Sequence, residues 1–435
     1  MKKYYGPQTE MALGNFPFNT TRVQLEFIYA IADVKRAAAF AHKKAQELNN
    51  DIADAIVSAC KEITDGKHDE QFSLPYFQGG AGTSINMNVN EVIAGRASEI
   101  LKDKNIKVHP NDHVNMGQST NDVNPSALKI ASLRLGKVFL EMSRELISSL
   151  KKKALDYKSV PKLGRTHLQD AVPITFGDEF KSWADALSRD EARIEFVLAS
   201  FEELNLGGTA VGNKINASEA YIAHVYQELS GITGLKLRPG ANLMSLTSSQ
   251  TDFCALSQAM TLYCLDASKI ASDIRLLSSG PNGGIGEIIL QELQPGSSIM
   301  PGKVNPVLPE SVNQLYFLVS GYNLTIEHCA HGSQLELGVM VPILAESLLS
   351  SLKITEEVIG NFARQCVATL QVNIEVAKGH LEKSTAYATL LVPKLGYDTV
   401  SRIVKESRES GKSIRTLVYE KKLLSEKEFD TMTKL

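Results

Sequence analysis

Four short polar stretches interrupt a sequence that otherwise has the pattern of long helices. They are GGAGTSINMN (79–88), GQSTNDVNP (117–125), GRTHLQDAVP (164–173) and GSSIMPGKVNP (296–306), and each combines glycine with serine or threonine. The polar side chains that they contribute are Thr83, Ser84, Ser119, Thr120, Asn121, Thr166, His167, Ser297, Ser298, Lys303 and Asn305. Most of these groups donate hydrogen bonds and one is positively charged, so together they suit the binding of carboxylates.

Each stretch also has a purely structural interpretation. Ser119, Thr120 and Asn121 are typical helix N-cap residues, GGAGTS is consistent with a simple turn, and a single histidine such as His167 is more often structural than catalytic. Capping and anion binding do not exclude each other, because the N-terminus of a helix attracts anions. Four such loops in one helical chain are hard to explain as caps alone, and we favour a shared anion site.

The stretch GSSIMPGK also has some similarity to a phosphate-binding Walker A motif. Five residues separate Gly296 from Gly302, where that motif has four, and Lys303 is followed by Val304 instead of serine or threonine. No strand is evident before the stretch. These differences disfavour nucleotide binding.

The stretch HPNDHVN (109–115) raises the question of a metal site, because His109 and His113 lie four residues apart with Asp112 between them. Pro110 disfavours a helix there, and the glutamate of the HExxH motif is absent. We therefore predict a capped turn at this stretch, and we expect neither a metal nor an organic cofactor.

The bulk composition favours a soluble cytoplasmic protein. The 435 residues carry 46 basic and 49 acidic side chains, a net charge of −3, which gives no sign of a nucleic acid or membrane partner. The start, MKKYYGPQTEM, lacks the apolar segment of a signal peptide, and no run of about 18 apolar residues occurs. The five cysteines are widely spaced without a CxxC motif, so we expect reduced thiols.

Long amphipathic helices are the elements that must position the four loops. In TDFCALSQAMTLYCLDASKIASDIRLLSSGP the apolar residues recur at alternating steps of four and three, namely Leu256, Met260, Tyr263, Ala267, Ile270, Ile274 and Leu277. This spacing predicts one helix that ends before Gly280 and Pro281. The same pattern recurs after Pro125, at Leu128, Ala131, Leu135, Val138 and Met142, and SLLSSL (347–352) lies in a third such segment. The sequence therefore predicts an all-α fold.

The distribution of these helices suggests three domains. They fill residues 120–370, preceded by an N-terminal domain over 1–119 and followed by a small helical domain over 371–435 with breaks at Gly379 and Gly411. A central bundle of long helices is the expected architecture. Such bundles often bury their apolar faces by oligomerising, although a monomeric bundle has the same pattern.

The four polar stretches, in this order and spacing, resemble the signature regions and the glycine–threonine turn of the fumarase/aspartase superfamily. GSSIMPGKVNP is the most diagnostic of them, and the resemblance covers nearly the whole chain. It implies a three-domain all-α fold and a homotetramer with a central twenty-helix core. It also implies active sites built from loops of three subunits, which add or remove an amine or water across the C2–C3 bond of a small dicarboxylate.

The resemblance also implies roles for individual residues. Ser297 matches the catalytic base, and Ser298 with its loop backbone matches the groups that hold the carboxylate gaining charge. The residues matching those that bind the carboxylate beside the lost proton are Thr83, Ser119 and Thr120. Those matching the binders of the other carboxylate are Lys303, Asn305 and Thr166. Positions near the leaving group are matched by Asn121 and His167, and an acidic residue paired with the histidine is matched by Glu310.

The chemistry of such a reaction agrees with these roles. Removing a proton next to a carboxylate creates an enolate-like intermediate with extra negative charge, and hydrogen-bond donors aimed at that charge stabilise it. Serine is a weak base unless its pKa is lowered, which Lys303 and the loop amides are placed to do. Gly296 and Gly302 would allow the loop to close over the substrate.

Within the superfamily, most features resemble the aspartases, which convert L-aspartate to fumarate and ammonia. These features are GGAGTS, LQDAVP, RLLSSGP, KVNPVLPESVNQ and QLELGVMVP. LVPKLGYDTVSRIVKES (391–407) instead resembles the class II fumarases, which interconvert L-malate and fumarate. The fumarase alternative therefore stays open.

Two departures from the superfamily pattern leave other members possible. Gly338 stands where relatives usually have asparagine, and Asn282 stands where they usually have arginine. A related amino-acid lyase is one alternative. A second is a structural protein of the lens-crystallin kind, although here the base, lysine, histidine and asparagine positions are all filled.

Overall fold

The structure, a computed structural model, describes residues 2–434 and is mostly helical. Its α-helices, numbered in chain order, are α1 (Pro7–Asn15), α2 (Leu25–Lys44), α3 (Asn50–Thr64), α4 (Thr83–Ile100), α5 (Thr120–Asp156), α6 (Phe176–Ser200), α7 (Glu219–Thr233), α8 (Leu243–Ser248), α9 (Thr251–Leu277), α10 (Val307–His331), α11 (Val341–Asn361), α12 (Ile374–Lys383), α13 (Tyr387–Leu395), α14 (Tyr397–Ser410), α15 (Ile414–Glu420) and α16 (Glu426–Thr433). The strands are β1 (Pro161–Thr166), β2 (Gln169–Thr175), β3 (Glu203–Leu204), β4 (Arg238–Pro239), β5 (Ile288–Ile289) and β6 (Gln371–Val372). The all-α prediction is confirmed.

The chain divides into two compact units. Unit 1 comprises Met1–Leu140, Ala192–Leu262 and Phe317–Glu356. Unit 2 comprises Glu141–Glu191, Tyr263–Tyr316 and Glu357–Leu435. The boundaries fall at or inside the long helices α5, α6, α9, α10 and α11, and the three-domain division stays a prediction.

Helix α9 has the limits and the buried face that its sequence predicts. It runs over Thr251–Leu277, and all of the apolar positions predicted for its buried face are at most 6% exposed. Leu348, Leu349 and Leu352 of α11 are likewise completely buried. An apolar stripe at this spacing covers one side of a helix, so burial of that stripe is what holds each long helix in place.

Helix α5 begins at the predicted N-cap stretch and includes Pro125, after which its apolar repeat starts. Its first residue is Thr120. Proline has no backbone N–H, so the carbonyl of Asn121 loses its usual helical partner. The Asn205 side-chain Nδ2 donates to that carbonyl at 3.0 Å instead, which allows the helix to continue N-terminally through the proline.

The predicted buried face of α5 is only partly correct. Leu128 and Ala131 are buried, but Val138 is 37% exposed, while Phe139 and Leu146 are buried instead. The buried positions of α5 therefore leave the predicted stripe after Ala131.

Strands β1 and β2 form an antiparallel hairpin that we did not predict. Thr166 pairs with Gln169, so His167 and Leu168 form the two-residue turn. Their φ angles are 53° and 58°, as a type I′ turn requires. Such turns usually contain asparagine or glycine. Neither residue is present at this turn, so the sequence does not predict the hairpin.

The helices after residue 373 pack around a small core of their own. It contains Leu381, Leu391, Ile403, Leu417 and Phe429. Leu163 of β1 packs in the same cluster, so the C-terminal helices support the strand that leads to His167.

Two further sequence-based expectations concern the thiols and the membrane. All five cysteines are free thiols, as predicted. None of the helices within residues 2–434 combines the length and apolar character that crossing a bilayer needs.

Candidate active site

The predicted site residues are divided between the two units. Those in unit 1 are Thr83, Ser119, Thr120 and Asn121. Those in unit 2 are Thr166, His167, Ser297, Ser298, Lys303, Asn305 and Glu310.

In unit 1, the glycine-rich turn lies against the first turn of α5. The buried Asn124 side chain donates from Nδ2 to the carbonyls of Ala81 and Gly82, at 3.2 and 3.1 Å. Gly82 has φ +80°, and a Cβ there would lie 2.6 Å from the same nitrogen, so no larger residue fits. Thr83 is thereby held near the start of α5, exposed, with its Oγ1 donating to the Gly80 carbonyl at 2.8 Å.

Ser119 caps helix α5. Its Oγ accepts from the backbone N–H of Asn121 at 3.2 Å, and its own N–H donates to Asp122 Oδ1 at 2.8 Å. The structural interpretation of this stretch as an N-cap is therefore correct. Thr120 and Asn121 then lie on the first turn of the helix. The positive end of the helix dipole is at this turn, and it attracts anions.

Asp122 anchors this first turn and is a residue that we did not select from the sequence. It is completely buried, and its Oδ2 accepts from the backbone N–H groups of Gly207 and Thr209 at 3.0 and 3.1 Å. Burial raises the pKa of Asp122 to about 6, opposed by its backbone hydrogen bonds. An acidic residue three positions after a capping serine is the signal that could have revealed it.

In unit 2, a buried charge cluster supports the hairpin turn that carries Thr166 and His167. Glu287 is completely buried, and Arg165 donates to both of its oxygens at 2.6 and 3.2 Å. His380 Nδ1 lies 2.8 Å from Glu287 Oε1. Burial acts to raise the pKa of Glu287, but Arg165 and His380 outweigh it and the pKa is lowered. The turn itself is exposed, so its conformation depends on this anchored strand.

The loop over 296–306 is closed at its neck and exposed at its tip. The Asn305 side chain donates to the Gly296 carbonyl at 2.8 Å, and a Cβ on Gly296 would lie 2.0 Å from the Lys303 carbonyl oxygen. Gly296 is therefore required by close backbone packing, while Gly302 has φ +77°. Ser297 Oγ accepts from the Ile299 N–H at 3.2 Å, and Lys303 is exposed.

Glu310 lies one turn into α10, where its carboxylate is 3.9 Å from the Arg275 guanidinium. His167 takes part in no ion pair with another described residue of the same chain. The predicted pairing of Glu310 with His167 therefore stays a prediction.

The stretch HPNDHVN forms the capped turn that we expected. Residues Pro110–Val114 make a single π-helical turn, and His109 Nδ1 accepts from the N–H groups of Asn111 and Asp112. No group of three or more His, Cys, Asp or Glu side chains in residues 2–434 has a metal-binding arrangement.

The two departures from the superfamily pattern have different surroundings. A Cβ on Gly338 would lie 2.3 Å from the Gln250 side chain, which is itself buried, so Gln250 fills the space that a larger residue at 338 would need. Asn282 lies in an exposed bend, and nothing in the structure explains the choice of asparagine there.

The sequence families that match the chain agree with its helical architecture. A family described as Lyase matches residues 1–321, and one described as Fumarase C C-terminus matches residues 388–435. Together they define an all-α enzyme of the lyase class.

Individual relatives point to the same superfamily. The aspartate ammonia-lyase of Bacillus subtilis is 43% identical over 430 residues, which cover 98% of this chain and 90% of that protein. The class II fumarate hydratase of Halalkalibacterium halodurans is 38% identical over 433 residues, or 99% and 94%. The chain belongs to the fumarase/aspartase superfamily.

Solved structures extend the similarity to the fold. A fumarate lyase:delta crystallin from Brucella melitensis, bound to cobalt, has a TM-score of 0.95 and 43% identity, covering 100% of this chain and 95% of that one. A recombinant class II fumarase from Schistosoma mansoni has a TM-score of 0.94 and 35% identity, with the same coverage.

Proposed function

We propose that the protein catalyses the reversible elimination of ammonia from L-aspartate to give fumarate. The observation that carries this proposal is the anchored first turn of α5, where Ser119 and Thr120 place hydroxyl groups at a helix N-terminus held by buried Asp122. Hydroxyl and backbone N–H donors at a helix N-terminus suit the binding of a carboxylate. The choice of ammonia rests on 43% identity to an aspartate ammonia-lyase over 98% of the chain.

In the proposed reaction, Ser297 removes the proton from the carbon next to one carboxylate. The electron pair of that C–H bond moves into the carboxylate and gives an aci-carboxylate with two negative charges. Ser298 and the N–H groups of the loop, with Thr83, Ser119 and Thr120, donate to these oxygens. The pair then returns to form the C2–C3 double bond as the C–N bond breaks.

The remaining site residues bind the rest of the substrate. Lys303, Asn305 and Thr166 bind the second carboxylate, and the Lys303 ammonium is well suited to this because its side chain is exposed. Asn121 and His167 lie beside the amine that leaves. Glu310 of another subunit fixes the orientation of the His167 imidazole.

The proposed assembly is a homotetramer in which three subunits contribute to each site. Support comes from apolar side chains that lie on the long helices and are between 42% and 82% exposed, namely Phe196, Leu265, Phe317 and Leu324. Exposed apolar patches mark interaction sites, and an interface between subunits would bury side chains at these positions. The three-domain division over 1–119, 120–370 and 371–435 and a cytoplasmic location are parts of the same proposal.

The experiment that tests the function compares L-aspartate with L-malate as substrates of the purified protein. Formation of fumarate is followed by its ultraviolet absorbance, and Ser297→Ala protein prepared in parallel measures contaminating activity. We expect aspartate to be converted faster. A faster reaction with malate, and none with aspartate, would transfer the proposal to the fumarase alternative, which 38% identity to a class II fumarate hydratase supports.

The same assay decides between an enzyme and a structural protein of the crystallin kind. Turnover of neither substrate by a correctly folded protein would contradict the proposed function altogether.

A further inference from the structure

A lysine is completely buried beneath the first turn of α5. Lys35 of α2 is 0% exposed, and its Nζ donates to Asn115 Oδ1 at 2.7 Å. Burial of an ammonium group costs several kcal/mol of folding free energy unless an opposite charge compensates for it, so such a residue needs an explanation.

Lys129 and Lys162 are buried lysines that form close ion pairs, whereas buried Lys153 donates to the Leu370 carbonyl at 2.6 Å. Lys129 Nζ lies 2.6 Å from Asp252 Oδ2, and Lys162 Nζ lies 2.7 Å from Glu179 Oε2. Lys35 differs from them, because within residues 2–434 its hydrogen bond goes to a neutral amide and it forms no ion pair. Its positive charge is favoured by Asp122 without a direct ion pair, and it can also act on an anion bound nearby.

Asn115 connects Lys35 to the proposed carboxylate site. Asn115 Oδ1 also accepts from Asn86 and Asn90 of α4, each at 3.2 Å, and the Asn115 amide nitrogen donates to the Gln118 carbonyl at 3.2 Å. Asn86 Nδ2 lies 3.4 Å from Thr120 Oγ1 as well. Three donors thus converge on one oxygen, and the chain of contacts ends at the two residues that flank Ser119.

The groups that act on the charge of Lys35 come from several elements. Asp122 of α5 and Cys60 of α3 both favour the protonated lysine, while α4 and the turn before Ser119 contribute neutral amides. Burial, together with the charge of Asp122, raises the pKa of Tyr221 of α7. Burial nevertheless dominates and lowers the pKa of Lys35 to about 7.

We propose that Lys35 is a positioning residue of the carboxylate site, which holds Asn115 and Thr120 in place and whose charge is neutralised by the bound dicarboxylate. This inference rests on the proposed function. An anion bound at the first turn of α5 stabilises the charged lysine, and the charged lysine in turn strengthens anion binding. The affinity for the dicarboxylate therefore falls as pH rises above 7.

The test compares Lys35→Met, Lys35→Gln and a matched control, Lys129→Met, with the wild-type protein. Lys35→Met removes the charge and the hydrogen bond, whereas Lys35→Gln keeps a donor for Asn115. We expect KM at pH 7 to rise about tenfold or more in Lys35→Met, with a smaller change in kcat, and partial recovery in Lys35→Gln. We expect KM of the wild-type protein to rise above pH 7, and we expect no such rise in either Lys35 variant.

The control separates positioning from a purely structural role. Lys129→Met removes an equally buried lysine that does not contact the site, so it should lower the melting temperature and leave the KM profile unchanged. If folded Lys35→Met behaves in the same way as Lys129→Met, with a wild-type KM at every pH, the proposal is overturned.

A binding measurement keeps the inference testable if the Lys35 variants do not fold. Succinate carries both carboxylates and cannot react, so calorimetry in two buffers reports proton uptake on its binding to the wild-type protein at pH 7.5. We expect uptake of part of one proton, and no uptake would overturn the proposal. Because succinate binding does not depend on which substrate turns over, this outcome is distinct from failure of the aspartate assay.

Discussion

The first turn of α5 and the loop over 296–306 carry similar polar residues in opposite settings. Around Ser119 the backbone and side chains are tied by a buried carboxylate, a buried amide network and a glycine that admits no other residue. The 296–306 loop is joined only at its neck, and Ile299 and Met300 at its tip are 82% and 48% exposed.

This difference suggests a division of labour. A preorganised set of donors holds charge without rearranging during the reaction, which is what recognition of a carboxylate needs. A loop with a fixed neck and an exposed tip is able to close over a substrate and exclude water. Exclusion of water favours proton abstraction by the proposed base, Ser297. If this division is correct, changes at the first turn of α5 affect binding, whereas changes in the 296–306 loop affect turnover.

Removal of the proposed base should have the largest effect. Ser297→Ala should lower kcat by about 10³-fold, because proton abstraction then depends on water. Ser297 makes one weak contact in an exposed loop, so the melting temperature should stay the same. Ser311→Ala, on the exposed face of α10, is the matched control. Wild-type turnover of Ser297→Ala in steady-state kinetics would show that Ser297 is not the base.

Opening the neck of the loop should have the next largest effect. In Gly296→Ala the new Cβ would overlap the Lys303 carbonyl oxygen, 2.0 Å away, and the tip would move. A displacement of about 1 Å in catalytic geometry lowers activity by about 100-fold, so kcat/KM should fall by that order while stability changes little. Gly283→Ala, where a Cβ meets nothing within 4 Å, should behave as the wild type, and equal kinetics of the two variants would contradict the fixed neck.

A change at Asp122 should affect stability as well as binding. The Asp122 carboxylate accepts hydrogen bonds from three backbone N–H groups. In Asp122→Asn the side-chain –NH2 cannot accept, so at least one of these N–H groups loses its hydrogen bond. We expect the free energy of unfolding to fall by about 2–4 kcal/mol and KM to rise. Asp112→Asn, at an exposed position, should change stability by less than about 0.5 kcal/mol. Denaturant unfolding that shows no difference between the two variants would argue against the anchoring role.

The smallest effect is a pH dependence of stability that originates in Lys35. The pKa of Lys35 is about 7 in the folded protein, against 10.5 for an ordinary lysine, so between these two pH values the unfolded chain binds more protons. The free energy of unfolding should therefore rise with pH above 7, by at most about 1.4 kcal/mol per unit, whereas the full cost of burial is present below pH 7. Lys35→Met should lack this rise, and parallel unfolding profiles of the two proteins between pH 7 and 9 would contradict it.

The sequence predicted those parts of the fold that follow from local spacing. Helix α9 was predicted at its observed limits because its apolar repeat and the Gly280–Pro281 break are both local signals. The start of α5 was indicated by the N-cap residues at 119–121, but the partner that compensates for Pro125, Asn205, lies far along the chain and has no local signal. The hairpin was missed because His167 and Leu168 adopt positive φ without the usual turn residues.

The buried charges behind the site needed tertiary information, although one left a trace in the sequence. Ile28, Ile31, Lys35 and Ala38 share one stripe of α2, and all are buried, so a lysine interrupting an apolar stripe was a usable signal. Nothing comparable marks Glu287, whose partners Arg165 and His380 come from distant segments.

The central claim, that the two regions meet from different subunits, is tested most directly by mixing two inactive variants. Thr120→Ala and Ser297→Ala proteins are unfolded together in equal amounts and refolded, and fumarate formation is compared with each variant refolded alone. If every site takes Thr120 from one chain and Ser297 from another, about one quarter of the sites combine two intact loops and about 25% of wild-type activity should return. Mixed tetramers that form but stay as inactive as their parents would contradict the account.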